Sequence, residues 1–198
     1  MPEKQNISAL LGSRICHDLI SPLGAIGNGI ELLTMSGSTA GPEIALITES
    51  VANANARVRF FRVAFGAATA EQRIGKPEVL SILADVTRGG RLSIDWRAAG
   101  DPSRREVKLA FLLIQCLETA MPYGGKVIVN RQTDAWQMTA SATRLKIDPA
   151  LWEVLSNPAA DVEVSAAQVH FLLAPEELHR LGRRLTADIR ETDIALRW

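Results

Sequence analysis

Apolar residues in the first third of the chain recur at three- and four-residue intervals from Ile7 to Met35, which predicts one long helix. Advancing about 100° per residue, Ile15, Cys16, Leu19, Leu23, Ile26, Ile30 and Leu33 gather within about 60° of Leu19. They form the expected packing face, with Ile20 at its edge. His17, Ser21, Gly24 and Asn28 gather on the opposite side. Ser36-Gly37-Ser38 reads as a turn. Gly41-Pro42-Glu43 then opens a second helix, expected to run to about Thr69, with proline in the first turn where its missing N–H costs nothing. Two long helices joined by a short loop form an antiparallel hairpin.

The pattern changes after Gly75. LSILADVTRGG reads as a short helix closed by paired glycines, and RLSIDWRA alternates as a strand does. Arg104 to Met121 is a strongly apolar helix ended by Pro122-Tyr123-Gly124-Gly125. KVIVNRQ and WQMTASAT read as a hairpin of strands, and Pro149 to Leu155 as a short helix. Ser165 to Leu181 reads as helical, with Pro175 kinking or dividing it. RLTADIRE and DIALRW close the chain as another strand pair. The expected fold class is α+β: a helical hairpin over residues 1–72, then a sheet with helices on one face over residues 76–198.

The chain has 198 residues, 47% of them apolar, enough to bury a core. Lys plus Arg balances Asp plus Glu at 22 each, with no basic block, which argues against a nucleic-acid partner. No apolar run approaches the roughly 20 residues that cross a bilayer. MPEKQNISALLGS lacks the basic start and long apolar stretch of a signal peptide. Cys16 and Cys116 both sit in apolar helical patterns and read as reduced core residues of a cytoplasmic protein. No Cys and His fall at metal-ligand spacing, so no metal is expected.

The candidate chemistry lies in RICHDLISPLGAIGNGIELL, Arg14 to Leu33. Its helical pattern puts His17 on an exposed seam of small residues, where another protein's helix or loop can approach. A large side chain at Gly24 would obstruct that approach. Pro22 removes a backbone hydrogen bond, costs roughly 3 kcal/mol in a helix interior, and frees a carbonyl near His17. A surface histidine on a bundle helix is the plain alternative. GAIGNG is not a dinucleotide fingerprint, because no strand precedes it and its glycine spacing is wrong. Cys16 and His17 point about 100° apart, so they do not form a thiol–base pair. His170 and His179 lie two and a half turns apart and read as structural or surface residues.

H-D-L-I-S-P-L, from His17 to Leu23, resembles the phosphoacceptor motif of sensor histidine kinases. The resemblance implies a dimeric four-helix bundle to which each subunit gives one hairpin, followed by an α/β sandwich like the kinase ATP-binding domain. The second half departs from that pattern. VKLAFLLIQCLETAM, the counterpart of the kinase helix that holds Mg²⁺ and phosphate through Asn residues, contains no Asn. TRLKIDPALWEVL stands where an Asp-x-Gly-x-Gly loop is needed and contains no glycine. A kinase-like domain that has lost its nucleotide is similar to the ChpT family of histidine phosphotransferases. The likeness extends over essentially the whole chain and rests on Ser13 to Leu33, and more weakly on Gly124-Gly125-Lys126-Val127.

The family resemblance implies a homodimer whose histidine shuttles a phosphoryl group through phosphohistidine. The donor would be the receiver domain of a CckA-like hybrid kinase, and the acceptors CtrA-like and CpdR-like response regulators. His17 would be the nucleophile and Asp18 its orienting group or proton acceptor, with a solvating acid as the alternative for Asp18. The chain itself would need no cofactor, because the partner receiver brings Mg²⁺ and a lysine. Arg14, Ser21, Gly24 and Asn28 on the first helix are candidate docking residues. Antiparallel pairing sets the His17 level near Phe61 and the Gly24 to Asn28 level near Ala54 to Ser50. That adds Asn53, Arg57 and Phe61 as docking candidates. Phe60, Phe61 and Phe65 also read as bundle core, and Asn53 and Arg57 as solvated side chains. Two rival functions remain: an active histidine kinase with an atypical nucleotide site, and a non-catalytic bundle that binds and inhibits a kinase.

Overall fold

The computed structural model describes residues 6–36, 41–133, 135–157, 160 and 162–198. Helices α1 (Ile7–Ser36) and α2 (Pro42–Ala64) pack along one another. The turn expected at Ser36-Gly37-Ser38 falls at the end of α1 and on residues outside the described ones. Helix α2 ends at Ala64, short of the expected Thr69. Carbonyls at and just past its end are held by cations of a later helix, Arg62 O by the Arg104 guanidinium at 2.7 Å and Gly66 O by Lys108 Nζ at 3.0 Å. Cations at a helix C-terminus satisfy orphan carbonyls and oppose the helix dipole. These contacts seat the hairpin on the rest of the chain.

The stripe of apolar residues on α1 splits in two. Ile15, Leu19, Ile26 and Leu33 are half-buried, whereas Ile20, Leu23 and Ile30 are 67%, 58% and 53% exposed. Cys16, expected in the core, is exposed with them. The reason is where α2 lies. It sits over Gly29, the one buried position among the described side-chain surfaces of α1, about 80° around the helix from the centre of the stripe. A Cβ on Gly29 would come within 2.6 Å of Ile47 Cγ1, so glycine is what permits this close approach.

After α2 come α3 (Lys76–Thr87), β1 (Leu92–Trp96), α4 (Arg104–Ala120), β2 (Gly125–Gln132) and β3 (Ala135–Ser141). Helices α5 (Pro149–Ser156) and α6 (His170–Arg180) and strands β4 (Thr186–Ile189) and β5 (Asp193–Arg197) complete the chain. The sheet runs β1-β2-β3-β5-β4, with β1 parallel to β2 and the remaining pairs antiparallel. The parallel pair is joined through α4, the crossover that parallel strands require. Val127, Val129, Trp136, Met138, Ala140, Ile194 and Leu196 alternate onto one face and are buried against the helices. The opposite face is more open, so the α+β architecture is as expected.

Helix α4 is buried on nearly all sides from Glu106 to Leu117, as its predominantly apolar sequence demands. It starts with a capping box, in which Ser103 and Glu106 satisfy each other's backbone N–H groups. The Glu106 carboxylate also accepts from Trp136 Nε1 at 3.1 Å and lies 3.4 Å from Arg131. Aromatic rings tie the layers together: Phe60 of α2 stacks on Phe111 of α4 at 4.7 Å, and Trp136 stacks on Trp198 at 5.7 Å. The helical stretch before Leu181 divides at Val169 rather than at Pro175. A capping box of Ser165 and Gln168 starts a separate 3₁₀ turn, Ala166–Gln168, while Pro175 is accommodated inside α6. The glycine-free segment after β3 folds as α5, capped by Asp148, and buries Leu151, Trp152, Val154 and Leu155. Trp152 packs edge-on against Phe171 of α6 at 6.0 Å.

Candidate functional site

Helix α1 carries His17 with its side chain 85% exposed. Its neighbour Asp18 is the reverse, with a side chain only 8% exposed and turned toward α2. Adjacent positions on a helix point about 100° apart, so one residue faces solvent while the next reaches the partner helix. The two still meet, with His17 Nδ1 lying 3.2 Å from Asp18 Oδ1. The other oxygen of Asp18 accepts from Arg14 Nη2 at 3.0 Å, one turn earlier on α1, and from Arg57 Nη1 of α2 at 3.3 Å. A carboxylate held by two guanidinium groups is an acceptor, so His17 Nδ1 is the donor in that contact. The Nε2 lone pair of His17 is thereby left free and directed away from Asp18.

Arg57 therefore stands at the level of Asp18, where the antiparallel expectation had put Phe61. Phe61 lies one turn further along α2. It is 8% exposed, stacked on Phe65 at 5.1 Å and edge-on to Phe60 at 6.3 Å. Its bundle-core reading holds, and its place as a docking residue is corrected. Arg14 is also occupied within the chain. Besides Asp18, it donates to Ala167 O at 2.7 Å, clamping α1 to the 3₁₀ turn before α6. Its side chain is 18% exposed, so it braces the site rather than offering a free surface.

Ser21, Gly24, Asn28 and Asn53 are all exposed, as the helical pattern requires. An open groove of about 550 Å³ brings His17, Asp18, Ser21, Asn53 and Arg57 together. Gly24 and Asn28 lie outside its lining and extend the seam further along α1. No atom lies within 4 Å of a Cβ built on Gly24, so the space above it is open. The far wall of the groove is the α3–β1 turn, with Asp85, Arg88, Gly89 and Gly90. Sequence reasoning missed that wall, because the turn is distant in sequence and carries no motif. Arg59 of α2 holds it by pairing with Asp85 at 2.5 Å and with Ser81 Oγ at 3.2 Å.

Glu118 was also missed, although it is the one acid in VKLAFLLIQCLETAM. It borders the groove next to Asp18 and Arg57. Although its surface is open, the concave surroundings remove bulk water and push its carboxyl above the usual range. Arg14 and Arg57 oppose that shift, and Asp18 adds to it. Cys116 is buried, and burial pushes its thiol well up; Cys16 is a free, exposed thiol. His170 is 1% exposed and contacts Thr119 Oγ1 through Nε2 at 3.1 Å, whereas His179 is exposed. Among the described residues no group of three or more His, Cys, Asp or Glu could hold a metal ion, and no helix is long and apolar enough to cross a membrane.

A solvent-facing imidazole thus stands beside a carboxylate held by two arginines, on a helical hairpin ahead of an α+β layer. The chain belongs to the histidine phosphotransferase family of ChpT type: the family model described as Histidine phosphotransferase C-terminal domain matches residues 76–193. It is 34% identical over 193 residues to the protein phosphotransferase ChpT of Brucella abortus (strain 2308), with 92% of each chain covered. It is also similar to a solved bacterial phosphotransferase structure, at 30% identity and a TM-score of 0.82, covering 100% of this chain and 97% of that one.

Proposed function

We propose that this protein carries phosphoryl groups between receiver-domain aspartates of a two-component phosphorelay through phosphohistidine at His17. The observation that carries the reading is the exposed His17 ring with Nδ1 on Asp18. Nε2 attacks the phosphorus of an aspartyl phosphate, an N–P bond forms, and the P–O bond to the aspartate breaks. The Nδ1 proton stays shared with Asp18, whose negative charge offsets the positive charge developing on the ring. The reverse step hands the group to the next aspartate. Phosphoryl transfer depends mostly on positioning and charge neutralisation, and the receiver partner supplies the metal ion for both directions.

The donor is a CckA-like hybrid-kinase receiver and the acceptors are CtrA-like and CpdR-like regulators, in the cytoplasm. The chain divides functionally into the hairpin of residues 1–72 and the kinase-like unit of residues 76–198. The latter works without nucleotide, since the segment after β3 is packed as α5 instead of a glycine-rich loop. The bare half of the α1 stripe, with Leu46, Val51 and Val58 exposed on α2, supports a second copy of the chain closing a four-helix bundle.

The test is transfer from a phosphorylated receiver domain to the wild-type protein and to His17→Ala, followed by the label on each partner. Label on the wild type and none on the variant supports the reading. Transfer that survives the substitution moves the chemistry off His17. Incorporation from ATP alone would restore the kinase reading.

A further inference from the structure

Asp18 has more positive charge around it than one carboxylate needs. Its Oδ2 takes two guanidinium groups, Arg14 Nη2 at 3.0 Å and Arg57 Nη1 at 3.3 Å, while its Oδ1 meets His17 Nδ1. The two arginines are held differently. Arg14 is 18% exposed and also donates to Ala167 O at 2.7 Å, so both its terminal nitrogens are engaged. Arg57 is 45% exposed and makes the longer contact. Among the described residues Asp18 is its only hydrogen-bond or ion-pair partner, so one terminal nitrogen of Arg57 is free.

Arg57 lines the groove that holds His17. A phosphoryl group on Nε2 brings about two negative charges and three acceptor oxygens into that groove. A guanidinium matches such oxygens in pairs, through two parallel N–H bonds, whereas its contact with Asp18 uses one nitrogen. That half-exposed contact is weak and readily exchanged. We propose that Arg57 is a phosphoryl-holding residue: once His17 carries phosphate on Nε2, the Arg57 guanidinium leaves Asp18 and binds the phosphoryl oxygens, while Arg14 alone keeps the carboxylate in place. This deepens the relay reading and rests on it. The departure of Arg57 also frees Asp18 to hold the Nδ1 proton more strongly, which the positively charged phosphorylated ring requires. The other cation of the lining, Arg88, stands on the far wall and is paired with Asp85 at 2.7 Å. Glu49, Asp85 and Glu118 line the groove as acids, so it does not gather free anions. The covalent tether at His17 is what brings phosphate to Arg57.

The experiment phosphorylates the full chain with phosphoramidate: His17 Nε2 forms the N–P bond, the reagent's own P–N bond breaks, and ammonia leaves. Phosphorus NMR then follows the phosphoryl group from about pH 9 to about pH 6, across the second ionisation of a phosphate. In the wild type that ionisation should lie about one pH unit lower than in Arg57→Gln, because a neighbouring cation favours the dianion. Arg57→Lys, which keeps the charge and loses the fork, should fall between them. The partition of phosphate between His17 and a receiver aspartate should move about tenfold toward the receiver in Arg57→Gln, the same pH unit expressed as a ratio. A residue that only braced the hairpin would change the melting temperature and leave the phosphoryl ionisation where it was. Should Arg57→Gln not fold, nitrogen NMR of the wild-type Arg57 guanidinium, assigned by its loss in Arg57→Lys, should show a shift on phosphorylation. Equal phosphoryl ionisation in the wild type and Arg57→Gln, or a guanidinium signal that phosphorylation does not move, overturns the proposal alone. Absence of phosphate on His17 from phosphoramidate and from a receiver alike overturns the relay reading, and the proposal with it.

Discussion

Lowering the pH should destabilise the protein through His170. This ring is sealed against Thr119 of α4, its Nδ1 has no hydrogen-bond partner, and burial, with help from the charge of Arg14, lowers its pKa to about 3. In the unfolded chain the same ring titrates near its ordinary 6.5. The unfolded state therefore binds the proton first. The stability contributed by the neutral ring is fully present above about pH 6.5 and is lost as pH falls toward about 3. At pH 5 the loss amounts to about 2 kcal/mol, since each pH unit between the two values is worth about 1.4 kcal/mol. Other groups titrate in the same range, so the comparison is with His170→Gln, which keeps a hydrogen-bonding group but does not titrate. Urea unfolding at pH 7.5 and pH 5 should show the wild type losing about 2 kcal/mol more than the variant. Parallel losses in the two proteins would refute the argument. Because Arg14 clamps α1 to Ala167, three residues before His170, protonation should also loosen the hairpin's seat.

Asp18→Asn keeps the shape but removes the charge shared by Arg14, Arg57 and His17. Phosphoryl uptake from a receiver should fall roughly a hundredfold, the low end for an acid–base partner because His17 is solvated, and rapid-quench transfer assays would read it. Leu23→Glu places a charge on the bare half of the α1 stripe and should give a monomer by light scattering, while the helical circular dichroism of the chain is kept. Glu106→Ala removes the α4 capping box and strands Trp136 Nε1 and Arg131. A loss of about 2–4 kcal/mol is expected in denaturant titration, and a change under 1 kcal/mol would be too small for a buried acceptor with these partners.

Much of the architecture was legible because each element has its own period. The alternation in KVIVNRQ and WQMTASAT marks β2 and β3, and the largely apolar run from Val107 to Leu117, broken only by Lys108 and Gln115, marks a helix buried all round. His17 was legible because it stands opposite the apolar stripe and next to an acid. The partners of Asp18 were less so. Arg57 is 39 residues away, and its level depended on a helix register that pattern alone fixes only to about one turn, so Phe61 was set there instead. Glu118 and the Asp85–Gly90 turn reach the groove from elements with no local signal of that role.

The sequence by itself determined a helical hairpin, the later helices with a sheet layer, one apolar stripe and an imidazole facing away from it, because those follow from residue type and helical or strand period. Only the tertiary structure decided which half of the stripe meets α2, since Gly29 lets Ile47 approach about 80° from the stripe's centre. That one choice turns Asp18 onto Arg57 and leaves Ile20, Leu23 and Ile30 uncovered. Periodicity says what must be buried; contact geometry between distant segments says against what.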